Sequence, residues 1–153
     1  MQKTKFRFWK NAWWAIVVFG LTMMVVASIK NPSKAQSEAR LASMNADMDY
    51  ALGAGGDVES IYSNAKFGGA LLIKNIKAAS WTPRLVGEYQ TMLLNRSWVI
   101  DVSETKKEIF LCKDGMLARI DSSPSTDASH GVPQLVYGFS MSYNANTLKR
   151  CKS

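Results

Sequence analysis

The segment Leu135-Val136-Tyr137-Gly138-Phe139-Ser140-Met141-Ser142-Tyr143-Asn144 decides the fold class. Leu135, Tyr137, Phe139, Met141 and Tyr143 alternate with Val136, Gly138, Ser140, Ser142 and Asn144. In an extended chain that period of two sends five large side chains to one face and small or polar ones to the other. Such a strand belongs to an antiparallel sheet covered on one side only.

Reading upstream, Asp114-Gly115 separates two further strand patterns, residues 108–112 and 116–121. Both central positions of a tight hairpin turn need positive φ, which Asp-Gly supplies. Residues 98–102 read as one more strand, joined by a polar turn over 103–107. The Ser- and Pro-containing stretch 122–133 reads as an exposed loop. Thr82-Pro83 opens a helix, and Leu85, Val86, Tyr89, Met92 and Leu93 follow the spacing of one buried face to about Asn95. Residues 57–80 stay ambiguous: 70–73 suit a short strand, 58–62 a helical turn. The expected domain is α+β, one helix packed on a three- to four-stranded antiparallel sheet.

Before it, Asn31-Pro32 marks a break that suits a cap and a first helical position. Residues 33–52 then show helical periodicity, with Leu41, Met44 and Met48 as a methionine-rich apolar stripe. The stripe is expected to pack on the domain, on a second copy or on a partner helix. Glycines at 53, 55 and 56 end the helix.

Residues 12–29 contain no charged side chain, and as a helix they would cover roughly 27 Å, close to the ~30 Å hydrocarbon core. Trp9, Trp13 and Trp14 stand at the N-terminal edge, where amphipathic rings favour the interface. Lys3, Lys5, Arg7 and Lys10 precede the run and place the N-terminus on the cytoplasmic side. The expectation is a signal-anchor in the inner membrane with the remaining chain in the periplasm. The chain then divides into a basic N-terminus (1–11), a transmembrane helix (12–29), an amphipathic helix and linker (30–56) and an extracytoplasmic domain (57–153). Ser33-Lys34-Ala35 offers a cleavage site, which would release a soluble exported module binding a ligand or inhibiting an enzyme.

Net charge narrows the partners. The chain carries +7, but residues 1–34 supply six basic groups and no acidic one. The rest holds 13 basic and 12 acidic side chains, too balanced for the clustered cations that nucleic acid requires. Cys112 and Cys151, the only cysteines, are expected to form a disulfide closing a loop of about 40 residues.

Chemistry-bearing patterns are sparse. His130 is the lone histidine and lies in the 122–133 loop. Ser63 with Lys66, and Ser103 with Lys106, match S-x-x-K without its companion motifs. Asp47 with Asp49, and Asp57 with Glu59, sit in polar surroundings two residues apart, and on a helix such pairs face different ways. The glycines at 53–56 lack the Lys-Ser/Thr of a phosphate loop. Asn95-Arg96-Ser97 is a formal glycosylation sequon. No cofactor and no metal is expected, since two cysteines and one histidine are too few soft ligands. No enzymatic activity is expected either.

In layout the chain resembles a type IV pilin or pseudopilin: basic leader 3–10, apolar helix 12–29, amphipathic helix 33–52, strands from Trp98 onward, and Cys112 with Cys151 bounding a loop. The resemblance implies a subunit of an envelope filament or secretion system. Prepilins are cut after a glycine just before the apolar helix and carry a glutamate five residues on. Here the nearby glycine is Gly20, inside the run, and Val25 stands five further. The primary expectation is a non-enzymatic accessory or interaction protein of the bacterial cell envelope. Its expected partners are other envelope proteins or itself, and its working surface the exposed sheet face or the 122–133 loop.

Overall fold

The computed structural model describes residues 13–14, 16–22, 31–101, 108–128, 131 and 133–152. In chain order these form α1 (Lys34–Leu52), β1 (Val58–Lys66), β2 (Gly69–Lys77), a 3-10 turn (Ala78–Ser80), α2 (Pro83–Asn95) and β3 (Val99–Ile100). There follow β4 (Glu108–Lys113), β5 (Met116–Asp121), β6 (Ser125–Asp127), β7 (Gln134–Asn144) and α3 (Ala145–Arg150). The strands make one antiparallel sheet in the order β1-β2-β7-β5-β4-β3, with β6 paired to β7 beyond the end of β5.

The sheet therefore has seven strands among the described residues, not three or four. The extra ones come from residues whose local pattern is weak. Residues 58–66 and 69–77 form a hairpin around Phe67-Gly68, where Gly68 takes a φ of 94°. β3 shortens to two residues, and β6 emerges inside the stretch expected to be loop. Val102, the 103–107 turn, Ser129, His130 and Val132 lie outside the described residues.

The expected transmembrane helix is also corrected. Among the described residues no helix is long and apolar enough to cross a membrane. Within the run, residues 13–14 and 16–22 are helical, and the longer piece would cover roughly 10 Å of a ~30 Å hydrocarbon core. Residues 12, 15 and 23–29 of the run lie outside the described residues. The single-pass inner-membrane placement rested on that helix and is withdrawn with it.

α1 begins two residues later than Asn31-Pro32 suggested. Ser33 is its cap, accepting from the Gln36 N–H while the Gln36 side chain accepts from the Ser33 N–H. Pro32 instead accepts the Gly68 N–H, tying the entry of α1 to the β1–β2 turn. α2 starts with Pro83 at its first position, although Thr82 makes no side-chain cap. Its buried face is Leu85, Tyr89 and Leu93, with Val86 and Met92 half-buried.

Both helices lie on the same side of the sheet. Met44, Met48 and Ala51 of α1 join Leu72, Leu111, Met116, Ile120, Phe139 and Met141 in one core. Tyr89 bridges to β7: its ring stacks on Phe139 at 5.4 Å and meets Trp81 edge-on, and Trp81 stacks on Tyr137 at 4.3 Å. Its buried hydroxyl donates to the Gly55 carbonyl at 2.5 Å, and burial pushes the phenol up to about 12. Gly56, at φ 93°, passes so close that a Cβ there would come within 2.5 Å of that hydroxyl.

β7 keeps its alternation through Phe139, Met141 and Tyr143, all buried. At its start the pattern departs: Leu135 is exposed and Val136, on the opposite face, is buried. β6 pairs with this end, and its Asp127 reaches across the uncovered face to Ser60 and Asn75. At the other end α3 turns back so that Cys151 bonds to Cys112 on β4, with Cα atoms 5.2 Å apart. The expected disulfide is present.

Candidate interaction surface

A sheet exposes its unpaired backbone at its two edges, and here they differ. β3 is two residues long and is followed by Asp101, whose N–H donates to the Phe110 carbonyl. β1 is nine residues long and, among the described residues, pairs with β2 alone. Its register against β2 runs unbroken from Ser60 to Lys66, with a bulge between Val58 and Ser60.

The turn fixes which backbone groups face outward. Lys66 and Gly69 flank the two-residue turn, so they exchange hydrogen bonds, and exchanging pairs recur at every second residue. Ser60, Tyr62, Asn64 and Lys66 thus bond inward to β2. Ile61, Ser63 and Ala65 aim their N–H and C=O groups away from the sheet.

Side chains on this strand follow the same alternation. Ser60, Tyr62, Asn64 and Lys66 share the uncovered face with Leu71, Ile73 and Asn75 of β2, while Ile61, Ser63 and Ala65 lie on the helix side. The helices leave the edge bare: Ile61 is 63% exposed, Tyr62 52% and Phe67 57%. Four successive residues of the strand, 61–64, are exposed on both faces, unusual for a strand of this length.

Charge along the edge is slight. Glu59 is half-buried and pairs with Lys77 at 3.4 Å, leaving Lys66 as the strand's exposed charge. On the uncovered face Asp127 accepts from Ser60 Oγ at 2.8 Å and from Asn75 Nδ2 at 2.9 Å, and Asn75 also donates to Ser60. Two recesses flank the strand. One, about 400 Å³, is bounded by Glu59, Ser60, Tyr62, Ile73 and Asp127; the other, about 220 Å³, by Tyr62, Asn64, Lys66, Leu71 and Asn144.

Trp13 and Trp14 are exposed, and Trp9 lies outside the described residues. Met44 and Met48 are completely buried against the chain's own sheet, with Leu41 packed beside them. Ser63 and Lys66 lie on opposite faces of β1, while Ser103, Lys106 and His130 lie outside the described residues. Glycines 53–56 carry the chain from α1 into β1. No group of three or more His, Cys, Asp or Glu side chains among the described residues could hold a metal.

Asp47 departs from its expected surface setting. It is 1% exposed and accepts from Arg96 Nε at 2.8 Å, Trp98 Nε1 at 2.8 Å and Lys113 Nζ at 2.7 Å. Asp49 points elsewhere, pairing with Lys74, whose stem is buried under α1. The recess of about 360 Å³ beside the disulfide holds Lys113 and Arg150, committed to Asp47 and Asp101 respectively. These charges hold elements together and offer no convergent acid–base pair.

β1 is the element that the local sequence pattern announces least. The signal was present in Phe67-Gly68 between the alternating runs Ser60/Tyr62/Asn64/Lys66 and Leu71/Ile73/Asn75. It was faint, because serine, asparagine and lysine are poor markers of a strand. Compared with known proteins, the chain matches no family model, no curated protein and no solved structure.

Proposed function

We propose that this domain is a non-enzymatic interaction module that receives an extended segment of another protein molecule along β1. The observation that carries the reading is the long edge left bare among the described residues: Ile61, Ser63 and Ala65 present backbone donors and acceptors outward, flanked by exposed Ile61, Tyr62 and Phe67. Strand addition is the recognition mode such an edge fits, with main-chain bonds giving affinity and flanking side chains giving selectivity. Folded proteins ordinarily blunt a free edge with charge, proline or a covering loop. Residues 61–65 carry neither a charged side chain nor a proline. The near-neutral balance beyond residue 34 suits a protein partner over nucleic acid.

A photo-reactive phenylalanine analogue at Tyr62, in the full chain produced in cells, tests the reading. Protein adducts are expected at this position in excess of those from the same group at Thr91, exposed on α2. Equal yields at the two positions would overturn it.

A further inference from the structure

Resting on that reading, we propose that the partner at this edge is a second copy of the same chain, the two β1 strands pairing antiparallel about a twofold axis through Ser63. The unbroken stretch of β1 is Ser60–Lys66, and Ser63 is its midpoint. A symmetric dimer uses the same patch twice, so the strand must complement its own reverse. Centred on Ser63, it does.

In this register Ser63 opposes the second copy's Ser63, and Ile61 opposes the second copy's Ala65. All three residues are those whose backbone groups point outward, so each finds a partner in both strands. A shift of two residues in either direction leaves Ala65 or Ile61 opposite the bulged or terminal part of the strand. On the helix side, exposed Ile61 is covered by a small alanine rather than by a clashing bulk. On the uncovered face Tyr62 lies beside Asn64.

Charge adds a second, independent argument. The same register sets Lys66 directly opposite Ser60 of the second copy, on the uncovered face. Ser60 is the residue to which the Asp127 carboxylate is bonded at 2.8 Å. Each lysine thereby arrives beside the other copy's carboxylate, and the contact occurs twice by symmetry. Like charges do not meet along the strand, because Glu59 is held by Lys77 outside the paired stretch. The product is a continuous sheet through two chains, which removes the exposed edge of both.

The test is sedimentation of the purified full chain over roughly 1–100 µM, alone and as two variants. Wild type is expected to sediment as a dimer. Ser63→Pro removes an outward N–H that β2 does not use and places a ring on the axis, so a monomer with unchanged circular dichroism is expected. Lys66→Glu sets a carboxylate against Asp127 and is expected to weaken association at least tenfold; it keeps the question open to test even if the proline variant fails to fold. A wild-type monomer throughout the range, or a dimer unmoved by Lys66→Glu, would overturn the proposal. Cross-linking at Tyr62 separates this from the broader reading. Adducts at twice the chain mass support the second copy, and adducts at another mass overturn it while leaving an interaction edge. Yields no higher than at Thr91 remove both.

Discussion

The Asp47 carboxylate accepts the Trp98 indole N–H at 2.8 Å across a separation of 51 residues, both side chains being 1% exposed. Arg96 and Lys113 bond to the same carboxylate, so one acceptor on α1 joins the end of α2 to β4. A buried acid with its partners in place contributes less than its removal costs, because removal strands the mostly buried Lys113 ammonium and the buried Trp98 N–H. Asp47→Ala is expected to lower stability by about 3 kcal/mol or more. For a chain of this size that corresponds to a fall in Tm of roughly 10 °C. Thermal unfolding followed by circular dichroism checks this; an unchanged Tm would show that Arg96 and Lys113 find water at no cost.

The acid side of the stability curve carries two opposed contributions. Burial alone would raise the Asp47 carboxyl, but hydrogen bonds from Lys113, Trp98 and Arg96 outweigh it and hold the group below its ordinary value of 3.8. The folded state then releases this proton more readily than the unfolded chain. Stability from Asp47 is present above the unfolded value and drains as pH falls through the folded one. Asp121 behaves in the opposite sense: burial pushes it up, and Arg119 offsets this only in part. It detracts from stability at neutral pH, and the deficit vanishes as pH falls below the unfolded value. Urea unfolding at pH 7 and near pH 3 should show the gap between wild type and Asp47→Asn narrowing on acidification. The gap between wild type and Asp121→Asn should move in wild type's favour.

Cys112 and Cys151 close a loop with a sequence separation of 39, anchoring α3 to β4. Chain-entropy reasoning values such a closure at about 4 kcal/mol. The paired substitution Cys112→Ser and Cys151→Ser should lower stability by roughly that amount, as should reduction of the wild-type chain. Matching urea midpoints for oxidised and reduced protein would contradict it.

Legibility tracked how strongly each element marks its own sequence. β7, β5 and the Asp114-Gly115 turn stood out because large apolar residues alternate and the turn demands positive φ, found at 49° and 77°. α2 stood out through Pro83 and one apolar face. β1 did not, since an edge strand left bare by the helices needs no apolar alternation, and Ser60, Ser63 and Asn64 say little about conformation. The same bareness makes it the candidate surface. Asp47 was legible only as an acidic residue in a polar stretch; its donors lie up to 66 residues away and come together through packing. The methionine stripe was visible at helical spacing, but that spacing cannot tell a chain's own sheet from a partner's surface.

The crossing of β5 and β7 on the uncovered face supplies the most local prediction. Arg119 spans Glu108 at 2.8 Å and Asp121 at 2.7 Å, which holds the Asp121 carboxylate over Gly138. A Cβ at Gly138 would fall 2.5 Å from Asp121 Oδ2, and Gly138 has ordinary negative-φ backbone, so the demand for glycine is one of space alone. Gly138→Ala must displace the carboxylate, breaking its bond to Arg119 and straining a half-buried site. A loss of about 1–3 kcal/mol is expected, the usual range for an added methyl group without room. If the clash is with Asp121, then Asp121→Ala should absorb most of it: the alanine substitution at 138 should cost little in that background. A double-mutant cycle by urea denaturation measures the coupling directly. Additive costs would mean that the added methyl group does not act through the Asp121 carboxylate, the one side chain within 4 Å of it.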